Sequence, residues 1–243
     1  MKGVILAGGT GTRLHPLTKI TNKHLLPVYN QPMVYYPIQT LVNAGVTDIL
    51  IVTGGNHAGE FLPLLGNGAD FGLKHLNYTH QARAGGIAEA LGLAKHFVGD
   101  DHLIVMLGDN LIEGNLVAAA RDFSQQERGA KILITRVEHP EQYGVVEFDG
   151  DKVARIVEKP AQPTSNWVQT GIYFYDNEVF DIVRTLKPSG RGELEITDVN
   201  NEYIHRGTMT YEKLQGWWGD AGEDIDELLR VSNLVAQTGA NKL

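Results

Sequence analysis

The chain of 243 residues contains no cysteine. That excludes disulfides, thiolate nucleophiles and zinc-thiolate sites. It also lacks any apolar run near the roughly 18 residues that a membrane span needs, and no basic segment followed by a long apolar stretch opens it. A soluble, cytoplasmic protein is the expectation, with no membrane partner. Positive charge is in short supply, with 21 Lys and Arg against 29 Asp and Glu and a formal net charge of −8. Nucleic-acid binding, which needs a basic surface to displace phosphate counterions, is therefore disfavoured. The nine histidines show neither an HExxH arrangement nor any other ligand spacing, so scattered surface or core roles are expected for them.

Other proportions are those of an ordinary globular protein, 42% hydrophobic and 21% charged, which argues against disorder. The length fits one large α/β domain better than two small ones. Glycine is over-represented at 28 residues, against an average near 7%. Much of the excess falls at strand-to-loop junctions, where function concentrates.

The most informative stretch is Met1 to Pro27. Val4, Ile5 and Leu6 form the apolar, partly β-branched run of a central strand in a parallel sheet. Gly8, Gly9 and Gly11 then free the backbone to turn its N–H groups onto an anion. Arg13 and Lys23 add a guanidinium fork and a point charge suited to phosphate. Two commoner glycine motifs fail here. A dinucleotide fingerprint needs glycine where Leu14 stands, and an acidic residue near the end of the second strand, where Thr53, Gly54 and Gly55 occur. A P-loop must close with Gly-Lys-Ser/Thr, whereas this loop closes with Thr12-Arg13-Leu14. An ordinary strand-to-loop turn is the remaining alternative.

Strand and helix patterns alternate through the first half, predicting a mostly parallel, Rossmann-like sheet with helices on both faces. The patterns give a helix from Pro32 to Gly45 and strands over 48–53, 73–79 and 103–107. Further helices are predicted over 60–65 and 87–98. The second half is richer in strands, over 131–137, 144–148, 152–157 and 171–175, with helices over 177–186, 194–206 and 224–237. This predicts a β-rich lobe on an α/β core, as one domain without internal repeats.

Several constellations carry chemistry. Asp109 follows the run Leu103–Leu107, so its carboxylate stands at the C-terminal end of a buried strand, where open α/β sheets bind ligands. Asp220, in Trp217-Trp218-Gly219-Asp220-Ala221-Gly222, supplies a second carboxylate. The pair suits Mg²⁺, which takes one or two carboxylates and fills its other positions with phosphate and water oxygens. Each aspartate alone could equally cap a helix. Gln81 offers a donor and an acceptor to a base edge, and Gly86 permits close approach to a ring, although a simple turn would use the same residues. Lys159 and Arg191 could hold a second phosphate and Glu158 could accept from sugar hydroxyls; a surface ion pair is the alternative.

Taken in order, LAGGTGTRLHPLT with Lys23, QARAGGIAEA, LGDN, YGVVEF, EKP, TGIYFYD, RGELEITD and WWGDAG resemble the sugar nucleotidylyltransferase family, and within it the thymidylyltransferase branch. The match spans almost the whole chain. It implies transfer of dTMP from dTTP to α-D-glucose 1-phosphate, giving dTDP-glucose and pyrophosphate, the entry to dTDP-deoxysugars such as rhamnose. By the same resemblance Leu6, Gly8, Gly9, Gly11, Thr12 and Arg13 hold the nucleotide, Gln81 and Gly86 read thymine, and Asp109 and Asp220 hold Mg²⁺. Asn110, Gly144, Glu158 and Gly171 shape the sugar pocket, with Gln169 beside it, while Lys159 and Arg191 grip its phosphate. Arg13, Lys23, Asp109 and Lys159 are the implied catalytic groups. The nucleotide-binding half covers roughly 1–125, the sugar-phosphate half roughly 126–243, and the assembly implied is a homo-oligomer, a tetramer.

Two departures from the family pattern stand out. Val168-Gln169 occupies a place where alanine and valine are usual, and a glutamine there could hydrogen-bond a sugar hydroxyl, opening the site to another hexose 1-phosphate. The chain also stops soon after Asp220, before the helical region that carries a regulatory nucleotide-sugar site in longer relatives. The same chemistry with UTP is the nearest alternative. A catalytically silent sugar-nucleotide sensor is another, and the joint presence of Arg13, Lys23, Asp109 and Asp220 argues against it.

Overall fold

The apolar runs of the first half form the centre of the molecule. The computed structural model describes residues 1–243. Strands β1 (Lys2–Ala7), β2 (Asp48–Gly54), β3 (His75–Gln81) and β4 (Leu103–Leu107) lie in the order β3-β2-β1-β4, all parallel. Helices α1 (Tyr35–Asn43), α2 (Phe61–Leu65), α3 (Ile87–Gly92) and α4 (Lys95–Val98) lie in the connections. Val4, Ile5, Ile51, Val52, Ile104 and Val105 are fully buried, as expected where helices cover both faces. The chain steps from β1 out to β3 and returns on the other side of β1 as β4. A crevice therefore opens at the C-terminal ends of β1 and β4, where the winding reverses.

The second half adds β5 (Ala130–Arg136), β6 (Gly144–Asp149), β7 (Lys152–Glu158), β8 (Trp167–Tyr175) and β9 (Met209–Lys213), completing a nine-stranded mixed sheet. Parallel pairing rules the first half and the β5–β9 pair, while β8 joins its neighbours antiparallel. One edge of β8 has two partners. Ile172 to Tyr175 pair with β4, but Val168 pairs with Val145 of β6. The sheet thus forks at Gln169–Gly171, beside the end of β4. Helices α5 (Val117–Ser124), α6 (Val179–Thr185), α7 (Ile196–His205) and α8 (Ile225–Thr238) complete the fold. A short antiparallel ribbon joins Asn110–Ile112 to Trp218–Asp220, with Asp220 opposite Asn110.

Two large apolar clusters occupy the sheet. A third packs Leu228, Val231 and Val235 of α8 onto Leu14, Val28 and Met33, behind the glycine loop. No helix is long and apolar enough to cross a membrane.

Element boundaries differ from the sequence expectation for local reasons. Helix α1 starts at Tyr35 rather than Pro32, because Gln31–Pro32 pairs with Pro27–Val28 in a ribbon. The expected helix over 87–98 breaks after Gly92 into α3 and α4, since glycine is a poor helix former. Strand β8 begins at Trp167, four residues earlier than expected. Helix α5 and strand β9 were not anticipated; only Met209 and Tyr211 of β9 pack on the core, too few apolar positions to show a period.

Helix α8 is capped by Asp224, whose carboxylate accepts from the Glu227 N–H at 2.8 Å. Asp220 is not its cap. Asp224→Ala should lower the unfolding free energy by about 1 kcal/mol, the usual cost of losing a carboxylate N-cap, as measured by urea titration.

Candidate active site

A cavity of about 480 Å³ occupies the crevice between the ends of β1 and β4 and the fork of β8. That size suits a small-molecule site. Nearly every residue singled out from the sequence lines it, from Leu6, Gly8, Gly9 and Arg13 on one side to Glu158, Lys159 and Arg191 on the other. Gly11 and Thr12 do not. The Gly11 carbonyl is turned inward, accepting from Thr18 Oγ1 at 2.6 Å and from the Leu14 N–H at 3.0 Å. These two residues shape the loop while Gly8 and Gly9 face the cavity. Arg13 extends from the loop to Glu223, 2.5 Å from its carboxylate.

The buried Asp109 meets the half-buried Lys23 and Asp220 at the centre of the cavity. The Lys23 ammonium lies against Asp109 Oδ2, and Asn110 Nδ2 donates to Asp109 Oδ1 at 3.2 Å. Burial alone would lower the Lys23 pKa, but Asp109 and Asp220 outweigh it and hold the pKa above its ordinary value. Asp109, although buried, is held below the carboxylate range by Lys23. For Asp220, burial and then the Asp109 charge push the carboxyl up to about 8. One ammonium therefore serves two carboxylates, which leaves room for more positive charge. A Cβ at Gly222 would overlap Asp109 Oδ2 and stand 2.7 Å from Lys23 Nζ, so only glycine fits there. No group of three or more His, Cys, Asp or Glu side chains converges as a ready metal cage.

His24, not singled out from the sequence, stands in the same wall. Asn22 Oδ1 accepts from the His24 N–H at 2.9 Å and lies 2.7 Å from Nδ1. A carboxamide oxygen can only accept, so Nδ1 carries the proton and Nε2 is bare. Nε2 lies 3.9 Å from Asp109 Oδ2. Burial and then Lys23 hold the imidazole pKa down at about 3.

Gln81, at the end of β3, spends its amide nitrogen on the Gly86 carbonyl and on Glu89 Oε1, each at 3.2 Å. Its oxygen faces Gly8, 3.2 Å from where a Cβ would stand. Gly86 has a φ of +99°, and a Cβ there would stand 2.8 Å from the Leu194 nitrogen and collide with the Leu194 carbonyl, so packing as well as ligand approach requires glycine.

On the far side, Asn110 Oδ1 accepts from the Gly171 N–H and from Trp218 Nε1, both at 2.8 Å. This ties the fork of β8 to the ribbon that carries Asp220. Lys159 is exposed, with a φ of +44° that is uncommon for a side-chain-bearing residue,. Its N–H donates to the Tyr143 carbonyl at 3.0 Å. Arg191 lies in a turn before α7, and its guanidinium clasps Glu195 through Nε at 3.2 Å and Nη2 at 2.8 Å. Glu158 and Glu193 lie 3.6 and 3.8 Å away. Gln169 lines the cavity, yet both ends of its carboxamide are bound within the protein, contrary to the direct sugar contact expected of it. Glu193, Glu195 and Glu223 were also missed, because they are sequence-distant or inconspicuous. With them the walls hold six carboxylates against the four cations Arg13, Lys23, Lys159 and Arg191.

Residues 2–238 match the nucleotidyl transferase family. The chain is 43% identical over 99% of its length to a glucose-1-phosphate thymidylyltransferase of Neisseria meningitidis, covering 84% of that protein. It is 47% identical over 97% of its length to the enzyme of that name from Mycolicibacterium smegmatis, covering 82%. Among solved structures, a Bacillus anthracis protein described as a glucose-1-phosphate thymidylyltransferase, in complex with sucrose, superposes with a TM-score of 0.93 at 48% identity. That superposition covers 98% of this chain and 96% of the other. A UDP-glucose pyrophosphorylase complexed with UDP-glucose shares the fold at a TM-score of 0.83 and 23% identity, over 97% and 98% of the two chains.

The state of His24 makes stability depend on pH. An imidazole in the unfolded chain titrates near 6.5, whereas the folded one stays neutral to about 3. As pH falls through 6.5 the unfolded chain therefore binds the extra proton and stability is lost. His24→Gln should remove this contribution. Urea titrations at several pH values should show the wild type losing more stability than the variant between about pH 6.5 and 4.

Proposed function

Because the chain belongs to the nucleotidyl transferase family, we propose that it transfers dTMP from dTTP to α-D-glucose 1-phosphate, giving dTDP-glucose and pyrophosphate. The product is the entry to dTDP-deoxysugars such as rhamnose. One observation carries this reading: a single cavity has Arg13 and Lys23 on one wall, Lys159 and Arg191 on the other, and the buried Asp109 and half-buried Asp220 between them. Two polyanions would need that arrangement.

A phosphate monoester oxygen is already an anionic nucleophile. It attacks the α-phosphorus in line, the new P–O bond forms, and the bond to the β-phosphate breaks to release pyrophosphate. No covalent enzyme intermediate and no strong general base is needed, so the work is positioning and charge stabilisation. The Gly8–Gly9 backbone and Arg13 would hold the triphosphate, with Arg13 exchanging Glu223 for phosphate oxygens. Lys23 would neutralise the α-phosphate. Gln81 and Gly86 would face the base, and Gly144, Glu158 and Gly171 the sugar. Lys159 and Arg191 would grip the sugar phosphate, Arg191 loosening its hold on Glu195.

Asp109 and Asp220 fit a divalent cation such as Mg²⁺. Burial and then the neighbouring Asp109 charge push Asp220 up, and a dication relieves that repulsion. The lack of a third protein ligand suits an ion that completes its shell with phosphate and water oxygens. When bound, Mg²⁺ supplies charge neutralisation at the triphosphate. An assembly of several copies, a tetramer, belongs to the same proposal.

Purified protein should release pyrophosphate with dTTP and glucose 1-phosphate, and EDTA should stop the reaction. A matrix of dTTP, UTP, CTP and GTP against several hexose 1-phosphates measures base and sugar choice together. Preference for UTP would replace the thymidylyl reading, and silence across the matrix would sink it. Asp109→Asn should lower turnover by about 100-fold or more, the scale of removing one key electrostatic group, while circular dichroism stays unchanged. Retention of near-full activity would overturn the role given to Asp109.

A further inference from the structure

Gln169 is embedded in an unbroken series of hydrogen bonds that starts at the half-buried Glu158 in the cavity wall and continues through buried side chains. Thr197 Oγ1 donates to Glu158 Oε2 at 2.5 Å. Gln169 Nε2 donates to Thr197 Oγ1 at 2.9 Å, Asn200 Nδ2 donates to Gln169 Oε1 at 2.7 Å, and the Tyr175 hydroxyl donates to Asn200 Oδ1 at 2.6 Å. Gln169, Thr197, Asn200 and Tyr175 are all buried.

The charge at Glu158 fixes the direction of every bond. A carboxylate only accepts, so Thr197 must give it the one proton its hydroxyl has. Thr197 must then accept from Gln169, whose nitrogen alone can donate. The Gln169 oxygen is left facing Asn200, which can meet it only with its own nitrogen, and the Asn200 oxygen takes the Tyr175 proton. Burial pushes the Tyr175 hydroxyl well up, so that proton stays in place. Reversing any one carboxamide would set two donors or two acceptors face to face.

We propose that Gln169 is a positioning residue for sugar-phosphate recognition, orienting the Glu158 carboxylate through Thr197 rather than touching the sugar itself. The inference rests on the reading of Glu158 as a sugar-facing group. With Oε2 held by Thr197, Oε1 keeps its lone pairs for ligand hydroxyls and stays 3.6 Å from the Arg191 guanidinium. Glu158 thereby presents a fixed acceptor to a vicinal diol and couples that acceptor to the phosphate-facing cation. A valine in place of Gln169 fills similar space and leaves Thr197 free to rotate its proton away. The glutamine thus tightens the geometry demanded of the sugar instead of adding a contact to it.

Gln169→Glu provides the decisive test. The variant keeps the size of the side chain and its bond from Asn200, but a carboxylate at 169 cannot donate to Thr197 and instead competes with Glu158 for the Thr197 proton. The Michaelis constant for glucose 1-phosphate should rise about tenfold, the scale of losing a hydrogen bond to a charged group, while that for dTTP stays within about twofold. Gln169→Val and Thr197→Val should each weaken glucose 1-phosphate binding in calorimetry, and the double variant should be no weaker than the worse single one. Thr197→Ser restores the hydroxyl and should recover the affinity lost in Thr197→Val. Should Gln169→Glu fold poorly, the Thr197→Val and Thr197→Ser pair carries the test. Unchanged glucose 1-phosphate binding in Gln169→Glu or in Thr197→Val, or losses that multiply in the double variant, would overturn the relay alone. Failure of the wild type to bind glucose 1-phosphate would overturn the functional reading itself.

Discussion

A half-buried ammonium shared by one buried and one half-buried carboxyl group is the constraint around which this protein is arranged. Lys23, Asp109 and Asp220 come from three distant parts of the chain, and each would be costly to bury alone. Their energies are interdependent. Lys23 keeps its charge because of the aspartates, Asp109 keeps its charge because of Lys23, and Asp220 is left as the poorly compensated third member. The surrounding backbone is drawn tightly onto this triad. The Ala221 N–H donates to the Asp109 carbonyl at 2.9 Å, Gly222 leaves no space for a Cβ, and Asn110 ties the same turn to β8.

The sheet topology creates the room that these charges need. A purely parallel sheet would offer one crevice, at the switch between β1 and β4. Here the antiparallel entry of β8 forks the sheet at the same point, and the hairpin β6–β7 becomes a second wall facing the first. Two ligands can then meet end to end over one pair of carboxylates. The excess of acidic over cationic side chains in the walls means that the protein alone does not neutralise two phosphate-bearing ligands.

The fold was legible where periodicity was strong. Leu103 to Leu107 and Val4 to Leu6 are apolar without interruption, so their burial and parallel pairing could be read directly. Strand β9 could not be read, because its residues follow no sustained pattern and it is stabilised by pairing with β5. The site was legible where glycine or charge interrupts an apolar run, as at Gly8, Asp109 and Asp220. It was illegible where a role depends on a partner from another element. Arg191 looked like an available cation until Glu195 was seen beside it, and Gln169 looked like a sugar contact until Thr197 and Asn200 claimed its carboxamide. His24 carried no motif at all; only its place between Asn22 and Asp109 distinguishes it.

The crossing between residues 110–112 and 218–220 has a consequence for synthesis on the ribosome. The glycine loop, Lys23 and Asp109 emerge early, yet Asp220, the Glu223 partner of Arg13 and the helix that covers Leu14, Val28 and Met33 emerge more than a hundred residues later. A nascent chain therefore carries a half-built pocket and an uncovered apolar patch through much of translation. Contacts so distant in sequence close slowly, and partly folded α/β chains with exposed apolar surface are prone to association. Asp220 and Glu223 can join Lys23, Asp109 and Arg13 only once residue 223 has emerged, so the order of translation delays assembly of this side of the site.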